Sequence, residues 1–467
     1  MFHVNSKNDV RGEYSLIDSK KKTALPLTPA KILSFGFGII IILGTFLLSL
    51  GPASASGKPM PLIDAFFTAT SATCVTGLAV VDTGTQFSLF GQLVILALVQ
   101  IGGVGFMTLG TLIALAFNRR ISLRDRLVLQ EAMNYNSMEG LVSLIRRVFI
   151  YSFAIEMTGA LLLTIRWAID MPLGKALFFG IYHSISFFNN AGFDLFGSTH
   201  GAFSGLGMYA EDVYINIVVM ILIFLGGIGF IVISDVLNYR TTRNLSLHSK
   251  IVLSMSAILI VGGAVIIFAL ENGNPLSMQP LSVGERILSS LFHSVSSRSV
   301  GVSTLSVADM ENSTQFLLIM LMFIGAAPGS TGGGIKVTVF AILLGAMYSM
   351  IRGREDIVFF RKRLSKGSIL RAITQTWLAL FLVISAAMTL SALEDREFLP
   401  LLFETTSAFA TAGLSLDLTP KLTDIGKIVI CVVMFLGRVG PVTLAYALAP
   451  KSGKELYRYP EGKITIG

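Results

Sequence analysis

The stretch Ala69–Leu78, ATSATCVTGL, decides the fold, because a similar run of small residues ending near a glycine returns three times along the chain. The later copies are SISFFNNAGF (Ser184–Phe193), SVSSRSVGV (Ser294–Val302) and TSAFATAGL (Thr406–Leu414). The intervals between their glycines are 115, 109 and 112 residues, counted over Gly77, Gly192, Gly301 and Gly413. Intervals this constant predict a fourfold internal repeat.

The chain is too apolar to be a soluble protein. Of its 467 residues, 53% are hydrophobic and 14% are charged, whereas a soluble domain has about 25% charged residues, and the mean hydropathy is +0.73. Eight apolar stretches are long enough to cross a hydrocarbon core of about 30 Å. They are 30–50, 87–117, 144–167, 214–237, 251–270, 316–350, 369–393 and 425–448. Within each successive pair lies an apolar piece of about a dozen residues, which predicts a re-entrant segment.

Charge is distributed unevenly among the connections. Basic residues crowd 119–147, 240–250 and 352–371, whereas the intervening connections lean acidic. By the positive-inside rule we expect the basic connections and both termini to be cytoplasmic, in a multi-pass protein of the plasma membrane. The net charge of +8 then reflects topology, and we expect no nucleic-acid partner. Residues 1–29 are polar and predict a cytoplasmic tail, not a signal peptide.

The basic connections also orient the repeats. Each unit starts at a basic connection, crosses outward, dips back, crosses inward and ends at a basic connection, so all four point the same way. The units are repeat 1 (30–120), repeat 2 (121–245), repeat 3 (246–365, with a broken second span at 325–335) and repeat 4 with the C-terminal tail (366–467). We predict an all-α polytopic membrane protein with four parallel helix–pore-helix–helix repeats around a central pore. An inverted-repeat carrier would alternate its basic connections between the two sides.

The four small-residue turns suit the binding of a monovalent cation. Irregular backbone at membrane depth needs partners for its carbonyl groups, and a ring of carbonyls replaces the water around such an ion. Glycine permits unusual dihedral angles, and a short helix pointing at the turn adds the negative end of its dipole. Glycine used only for close helix packing is the alternative, but four turns in register favour a pore.

Several motifs carry a family resemblance. They are TATSATCVTGL followed by QIGGVGF, the SFFNNAGFDLF turn, the SSRSVG turn, the GSTGGGIK stretch and the GRVGP run. Over about residues 30 to 450 the chain resembles the Trk/Ktr/HKT superfamily of potassium transporters. Its eight predicted spans and short N-terminal tail most resemble a Ktr-type membrane subunit, a potassium-translocating protein with channel-like conduction. Sodium dependence is left open, and no cofactor is implied in this chain besides the transported potassium or sodium ion.

The resemblance also implies a selectivity filter. Its residues are Thr76 and Gly77, Ala191 and Gly192, Val300 and Gly301, and Ala412 and Gly413. Potassium would be bound at the filter glycines, since glycine in all four turns is associated with potassium and serine in the first with sodium. The third turn is less typical of the family, because Val300 and Val302 flank its glycine.

The sixth apolar stretch contains a break that predicts a gate. Its residues are Gly325, Ala326, Ala327, Pro328, Gly329, Ser330, Thr331, Gly332, Gly333 and Gly334. Proline and glycine cost a helix about 3 and about 1 kcal/mol relative to alanine, so the span must break. The resemblance implies an intramembrane loop below the filter that obstructs the pore, and a kink for packing is the alternative. Lys336 either extends to the cytoplasmic interface or takes part in gating.

Two arginines also lie in apolar surroundings. Arg438 sits within the last span, where an arginine costs at least about 2.5 kcal/mol unless it faces a cavity or finds acceptors. We predict that Arg438 places a positive charge in the pore as a barrier to cations and donates hydrogen bonds to the carbonyls of the loop. The alternative is that it only links neighbouring helices. Arg298, within the third turn, is expected to brace the filter from behind.

Three classes of function remain open. They are a channel-like potassium transporter, a sodium-translocating relative and a membrane-embedded enzyme. No catalytic constellation supports the enzyme, because Glu156, Asp235 and Glu404 have no paired partner or metal motif in the sequence. The resemblance further implies a homodimer and a cytosolic nucleotide-binding regulatory subunit of the Ktr type, for which the basic connection 352–371 offers a docking surface.

Overall fold

The computed structural model describes residues 29–105, 108, 127–129, 141–354 and 356–440. Four predictions lie wholly or largely outside these residues: the N-terminal tail, the basic residues near 119–126, the ends of the second and eighth apolar stretches, and the C-terminal tail. Within the described part the regular secondary structure is helical apart from one small hairpin, formed by the strands β1 (Val358–Phe359) and β2 (Lys362–Arg363).

The helices follow one another in the same order in four stretches of chain. The first stretch has α1 (Pro29–Ser49), α2 (Leu62–Cys74) and α3 (Leu89–Val104). The second has α4 (Leu141–Trp167), α5 (Leu173–Phe188), α6 (Val213–Gly227) and α7 (Phe230–Thr242). The third has α8 (Leu247–Glu271), α9 (Val283–Ser296), α10 (Asn312–Phe323) and α11 (Val337–Ile351). The fourth has α12 (Lys366–Leu393), α13 (Phe398–Ala410) and α14 (Asp424–Val439).

Short helical turns complete the connections. They are Gly51–Ala53, Thr83–Gln86, Gly197–His200, Gly207–Tyr209 and Thr419–Lys421. Ser88 and Asp212 cap the helices that follow these turns, since their side chains accept hydrogen bonds from the amides of Gly91 (3.3 Å) and Ile215 (3.0 Å). Such an N-cap contributes about 1 kcal/mol, so the start of each capped helix is specified locally.

The first helix of every stretch is long enough and apolar enough to cross a membrane. Among the described residues, four helices pass this test: Pro29–Ser49, Ile145–Trp167, Leu247–Glu271 and Lys366–Leu393. They also expose large apolar side chains, such as Ile39 and Ile42 in α1, which are 65% and 68% exposed. A surface of this kind fits lipid and not water, so the chain is a multi-pass membrane protein.

In the second and third repeats the second apolar stretch is divided between two helices, α6 and α7 or α10 and α11. In the first and fourth repeats the described part of this stretch is a single helix, α3 or α14, that ends at a glycine. Helices α6 and α7 meet at a bend of 101°, although the sequence predicts one span over 214–237. Gly229 lies at this bend with φ +86°, and Gly105 and Gly440 end α3 and α14 with φ +88° and +90°. These left-handed dihedrals are open to glycine and costly for other residues, so the glycine clusters set where the helices stop.

The helices pack in a closed ring. The short second helix of each stretch lies against the first one, in the pairs α1–α2, α4–α5, α8–α9 and α12–α13. The helix after each turn packs on the short helix of the next stretch, in the pairs α3–α5, α6–α9 and α10–α13. Helix α14 then packs on α2, which joins the fourth stretch to the first. The four turns are thereby brought to the centre of the described helices.

Candidate ion pathway

Three of the four short helices end in the same backbone turn. In α2, α5 and α13 the chain leaves the helix through a residue in the left-handed region: Val75 (φ 59°), Asn190 (φ 62°) and Thr411 (φ 48°). The next amide then bonds a carbonyl five residues back, as Ala191 does to Ser186 at 2.7 Å. This is the Schellman pattern, although none of its left-handed residues is glycine. A strained non-glycine residue costs about 1–3 kcal/mol and persists only where its surroundings fix it.

The third turn differs from the other three. After α9 no residue before Gly301 enters the left-handed region, since Ser297 has φ −58°. The carbonyl of Ser296 accepts from two amides, that of Val300 four residues on (3.0 Å) and that of Gly301 five residues on (3.3 Å). The sequence already marked this turn as less typical, and the structure shows that its backbone is different.

The glycine of each turn lies against the backbone of the following turn, and the glycine of the fourth turn lies against the first. Each has a positive φ: 87° at Gly77, 71° at Gly192, 75° at Gly301 and 84° at Gly413. A side-chain carbon built on each would collide with a carbonyl oxygen of the next turn: that of Ala191, Val300, Ala412 and Thr76, respectively. The structure therefore brings together all eight residues that the sequence assigned to a filter. Glycine is required at each position for two reasons: its positive φ is costly for other residues, and a side chain would collide with the carbonyl of the next turn.

The carbonyl oxygens at this ring are free to bind something other than the protein. Among the described residues, no N–H or O–H group donates to the carbonyls of Thr76, Ala191, Val300 or Ala412. Four short helices also end at the ring, so the negative ends of their dipoles point towards it. An arrangement of this kind can replace the hydration shell of a monovalent cation.

A non-helical segment, here called the loop (residues 324–336), separates α10 from α11. It docks on the bend between α6 and α7, where the amide of Ala327 donates to Gly227 O (2.9 Å) and the amide of Phe230 donates to Gly329 O (3.0 Å). The break predicted at 325–335 is thus an ordered loop with partners, and its ten small residues lie together.

Lys336 turns back onto the loop. Its Nζ donates to the carbonyl of Gly332 at 2.7 Å and approaches that of Gly333 at 3.5 Å. Of the two readings from the sequence, the structure favours a contact with the loop over extension to the interface.

Arg438 bridges the loop and the end of α3. One guanidinium nitrogen donates to the carbonyl of Thr331, and the other donates to the carbonyls of Gly102 and Gly103, the latter at 3.3 Å. In the sequence, Thr331 lies 107 residues from Arg438 and Gly102 lies 336 residues from it. The arginine therefore finds carbonyl acceptors, which reduces the cost of its position.

Arg298 lies behind the third turn and not at the ring. It is buried, and its Nη2 donates to the carbonyl of Gly325 (3.3 Å) and to Ser256 Oγ (3.5 Å). A small cavity lined by Gly227, Ser256 and Ala326 lies beside it. The position agrees with a bracing role, and it adds a contact with the beginning of the loop.

The sequence did not single out two amide side chains at the end of α5. Asn189 donates to Glu156 Oε1 (3.0 Å) and to Gln100 Oε1 (2.8 Å), while Asn190 is hydrogen-bonded to the Thr331 hydroxyl (2.9 Å). Glu156, which had no visible partner in the sequence, thus has amide partners. The signal available was that asparagine stands twice in an otherwise apolar run, where a buried amide requires hydrogen bonds.

The other acidic residues near the turns have structural partners. Glu404 accepts a hydrogen bond from Ser415 (2.8 Å), and Asp235 accepts one from Ser249 (2.6 Å). No group of three or more potential metal-ligating His, Cys, Asp or Glu residues occurs in the described part of the chain.

Two carboxylates lie in the connections that follow the first and second turns. Asp82 accepts hydrogen bonds from the amides of Thr85 (2.8 Å) and Phe203 (2.9 Å). Burial, and with it the neighbouring charge of Asp82, raises the pKa of Asp194 to about 7, against the hydrogen bond from the Phe196 amide, which lowers it. Asp194 therefore changes its charge near neutral pH.

The fold and the ring of carbonyls define a class. A multi-pass helical protein whose irregular turns meet in such a ring is a cation transport protein of membranes. Within that class the chain belongs to the TrkH family, described as cation transport proteins, whose family model matches residues 31–455.

Individual relatives agree with this family. The chain is 40% identical over 440 residues to Ktr system potassium uptake protein B of Bacillus subtilis, covering 94% of this chain and 97% of the relative. It is 37% identical over 456 residues to potassium/sodium uptake protein NtpJ of Enterococcus hirae, covering 96% and 99%. These relatives are named as uptake proteins and not as enzymes.

A solved structure shares the fold. The potassium transporter TrkH from Vibrio parahaemolyticus matches with a TM-score of 0.67 and 18% identity, over 89% of this chain and 85% of that one. At this identity the similarity concerns the arrangement of the helices alone.

Proposed function

We propose that this chain is the potassium-translocating subunit of a Ktr-type uptake system and conducts potassium through the ring of four turns. The observation that carries the proposal is the ring itself, in which four carbonyl oxygens face the neighbouring glycines and receive no donor from the described residues. Backbone oxygens held by converging helices suit a dehydrated monovalent cation. The relatives named as potassium uptake proteins support potassium as the ion.

The loop at 324–336 is the proposed gate. It is composed of small residues, docks below the turns, and is tied in place by Lys336 and Arg438. In this scheme the loop obstructs conduction until it moves, and Arg438 contributes both a positive barrier and a link that joins the Thr331 carbonyl of the loop to the end of α3. The alternative, in which the break only improves packing, predicts that its removal lowers flux together with protein yield.

The first test is uptake by cells. Expression in a strain without its own potassium uptake systems should restore growth at low potassium, with and without sodium present. An inserted protein that does not restore growth under either condition, with or without a Ktr-type partner, would contradict the proposal.

Sodium translocation is the second candidate, since one relative is named as a potassium/sodium uptake protein. Substituting sodium for potassium in proteoliposome flux measurements separates the two functions. Sodium flux equal to or above potassium flux would favour this alternative, whereas a sodium requirement with potassium as the transported ion would indicate coupling.

The proposed assembly is a homodimer in the plasma membrane, with both termini cytoplasmic and a nucleotide-binding regulatory subunit of the Ktr type below it. The hairpin at 358–363 and its basic neighbours offer the docking surface, because Lys362 and Arg363 are exposed. Purified protein should bind such a subunit in a nucleotide-dependent manner. Absence of binding at every nucleotide condition would remove this part of the proposal.

A further inference from the structure

Thr331 is the residue of the loop that contacts the second turn most closely. Its hydroxyl lies 2.9 Å from the side-chain amide of Asn190, 3.1 Å from the carbonyl of Gly226 and 3.3 Å from that of Phe188. Its own carbonyl accepts from Arg438. Thr331 is buried, so these contacts are made without competition from water.

Asn190 sits at a sensitive place in the second turn. It immediately precedes the filter pair Ala191 and Gly192, and its backbone is in the left-handed region. If its amide is turned by half a rotation, the nitrogen reaches the carbonyls of Phe187 and Ile223 (both 3.2 Å) and the oxygen accepts from Thr331 (2.9 Å). The hydrogen bond between Asn190 and Thr331 exists in both orientations.

The equivalent residues of the other turns make no such bond among the described residues. Val75 has an apolar side chain, and the Thr411 hydroxyl is buried without a partner. Ser299 in the third turn has no hydrogen bond to the loop in the described part of the chain. The side chain at this position thus ties the second turn alone to the loop.

We propose that the pair Asn190–Thr331 is a specificity-determining element, which couples the position of the loop to the shape of the second filter turn. The inference rests on the proposed function. The bond to Thr331 fixes the residue directly before Ala191 against the loop, so its loss frees the second turn to shift and moves the carbonyl of Ala191. Because that carbonyl faces Gly77, its displacement changes the ring and lowers the preference for potassium over sodium.

The test uses full-length protein in proteoliposomes and measures the potassium-to-sodium flux ratio. Thr331→Val keeps the shape of the side chain and removes the hydroxyl, and should lower the ratio about fivefold. Thr331→Ser keeps the hydroxyl and should restore most of it. Thr45→Val is the matched control, because Thr45 is also buried but its hydroxyl donates to Ile41 O within its own helix, α1 (2.8 Å).

Asn190→Gly provides a second route, since glycine tolerates the left-handed backbone and removes the amide. It should lower the ratio to a similar extent, and the double variant should lose little more than either single one, because both remove the same bond. If Thr331→Val inserts and keeps the wild-type potassium-to-sodium flux ratio, the proposed coupling is overturned. If Thr331→Val does not insert, a wild-type ratio in Asn190→Gly overturns it. Absence of potassium flux in the wild-type protein, both alone and together with a Ktr-type partner, would instead refute the proposed function.

Discussion

Two segments of irregular backbone meet at the centre of this protein, and they treat their carbonyl oxygens in opposite ways. In the turns, the carbonyls of Thr76, Ala191, Val300 and Ala412 receive no hydrogen bond from the described residues. In the loop, most of the carbonyls have donors. These donors are Arg298 for Gly325, Val337 N for Ala326, Ser330 for Ala327, Phe230 N for Gly329, Arg438 for Thr331, and Lys336 for Gly332 and Gly333.

This difference separates two uses of small residues inside a membrane. A carbonyl at membrane depth needs a partner, so oxygens without a protein donor suit a transported ion. Oxygens that accept hydrogen bonds from arginine, lysine and backbone amides are already satisfied, which suits a segment held in one position. The same residue types, glycine, alanine, serine and threonine, thus leave their carbonyl oxygens without a protein donor in one segment and satisfied in the other.

The largest expected effect is in the ring. Gly77→Ser places a side chain against the carbonyl of Ala191 at a φ of 87°, so the turn must shift. We expect the potassium-to-sodium flux ratio to fall by at least about tenfold, which corresponds to only about 1.4 kcal/mol of lost discrimination. The measurement is ion flux per inserted molecule in proteoliposomes.

Gly38→Ala is the matched control for this substitution. Gly38 lies in α1 and has no atom within 4 Å of the added carbon, so the variant should keep its ion preference and its yield. An unaltered ratio in folded Gly77→Ser would remove the first turn from the filter.

The second effect concerns the satisfied carbonyls of the loop. Arg438→Ala removes the donors to Thr331 and Gly102 and a positive charge, so potassium flux in the absence of a partner should rise about tenfold. Deleting most of 326–334 should act in the same direction. Arg371→Ala serves as a control, because Arg371 is exposed and its Nε donates to Gly367 O within its own helix, α12.

Both gate variants should remain inserted in the membrane. A fall in flux per inserted molecule in both of them would show that the loop supports packing and does not obstruct conduction.

The smallest effect is expected for the pH dependence of uptake, through Asp194, the carboxylate that follows the second turn. Because the pKa of Asp194 is raised to about 7, its carboxylate is ionised above that pH and protonated below it. Its negative charge favours cations nearby, so uptake at limiting potassium should fall modestly between pH 8 and pH 6. Asp194→Asn should flatten this part of the pH profile, and an identical profile in the two proteins would exclude the residue as its source.

Much of the ring was predictable, because it depends on local signals. The four glycines stand at regular intervals, and each follows an apolar piece too short to cross a membrane. The bend at Gly229 was less visible, since a glycine cluster within an apolar stretch is compatible with a continuous helix as well as with a break. The resemblance to a known family added the roles of the residues, which composition alone does not carry.

The sequence by itself determined the class of protein, the positions of the turns and the break at 325–335, since hydropathy, glycine and proline act on neighbouring residues. Only the tertiary structure decided which carbonyl faces which glycine, and that Arg438, Asn190 and Thr331 meet. The bonds from Thr331 to Asn190 and to Arg438 join residues 141 and 107 positions apart, and they form only when the ring of helices closes. Contacts between such distant residues leave no periodic signal, because each depends on how several helices pack together.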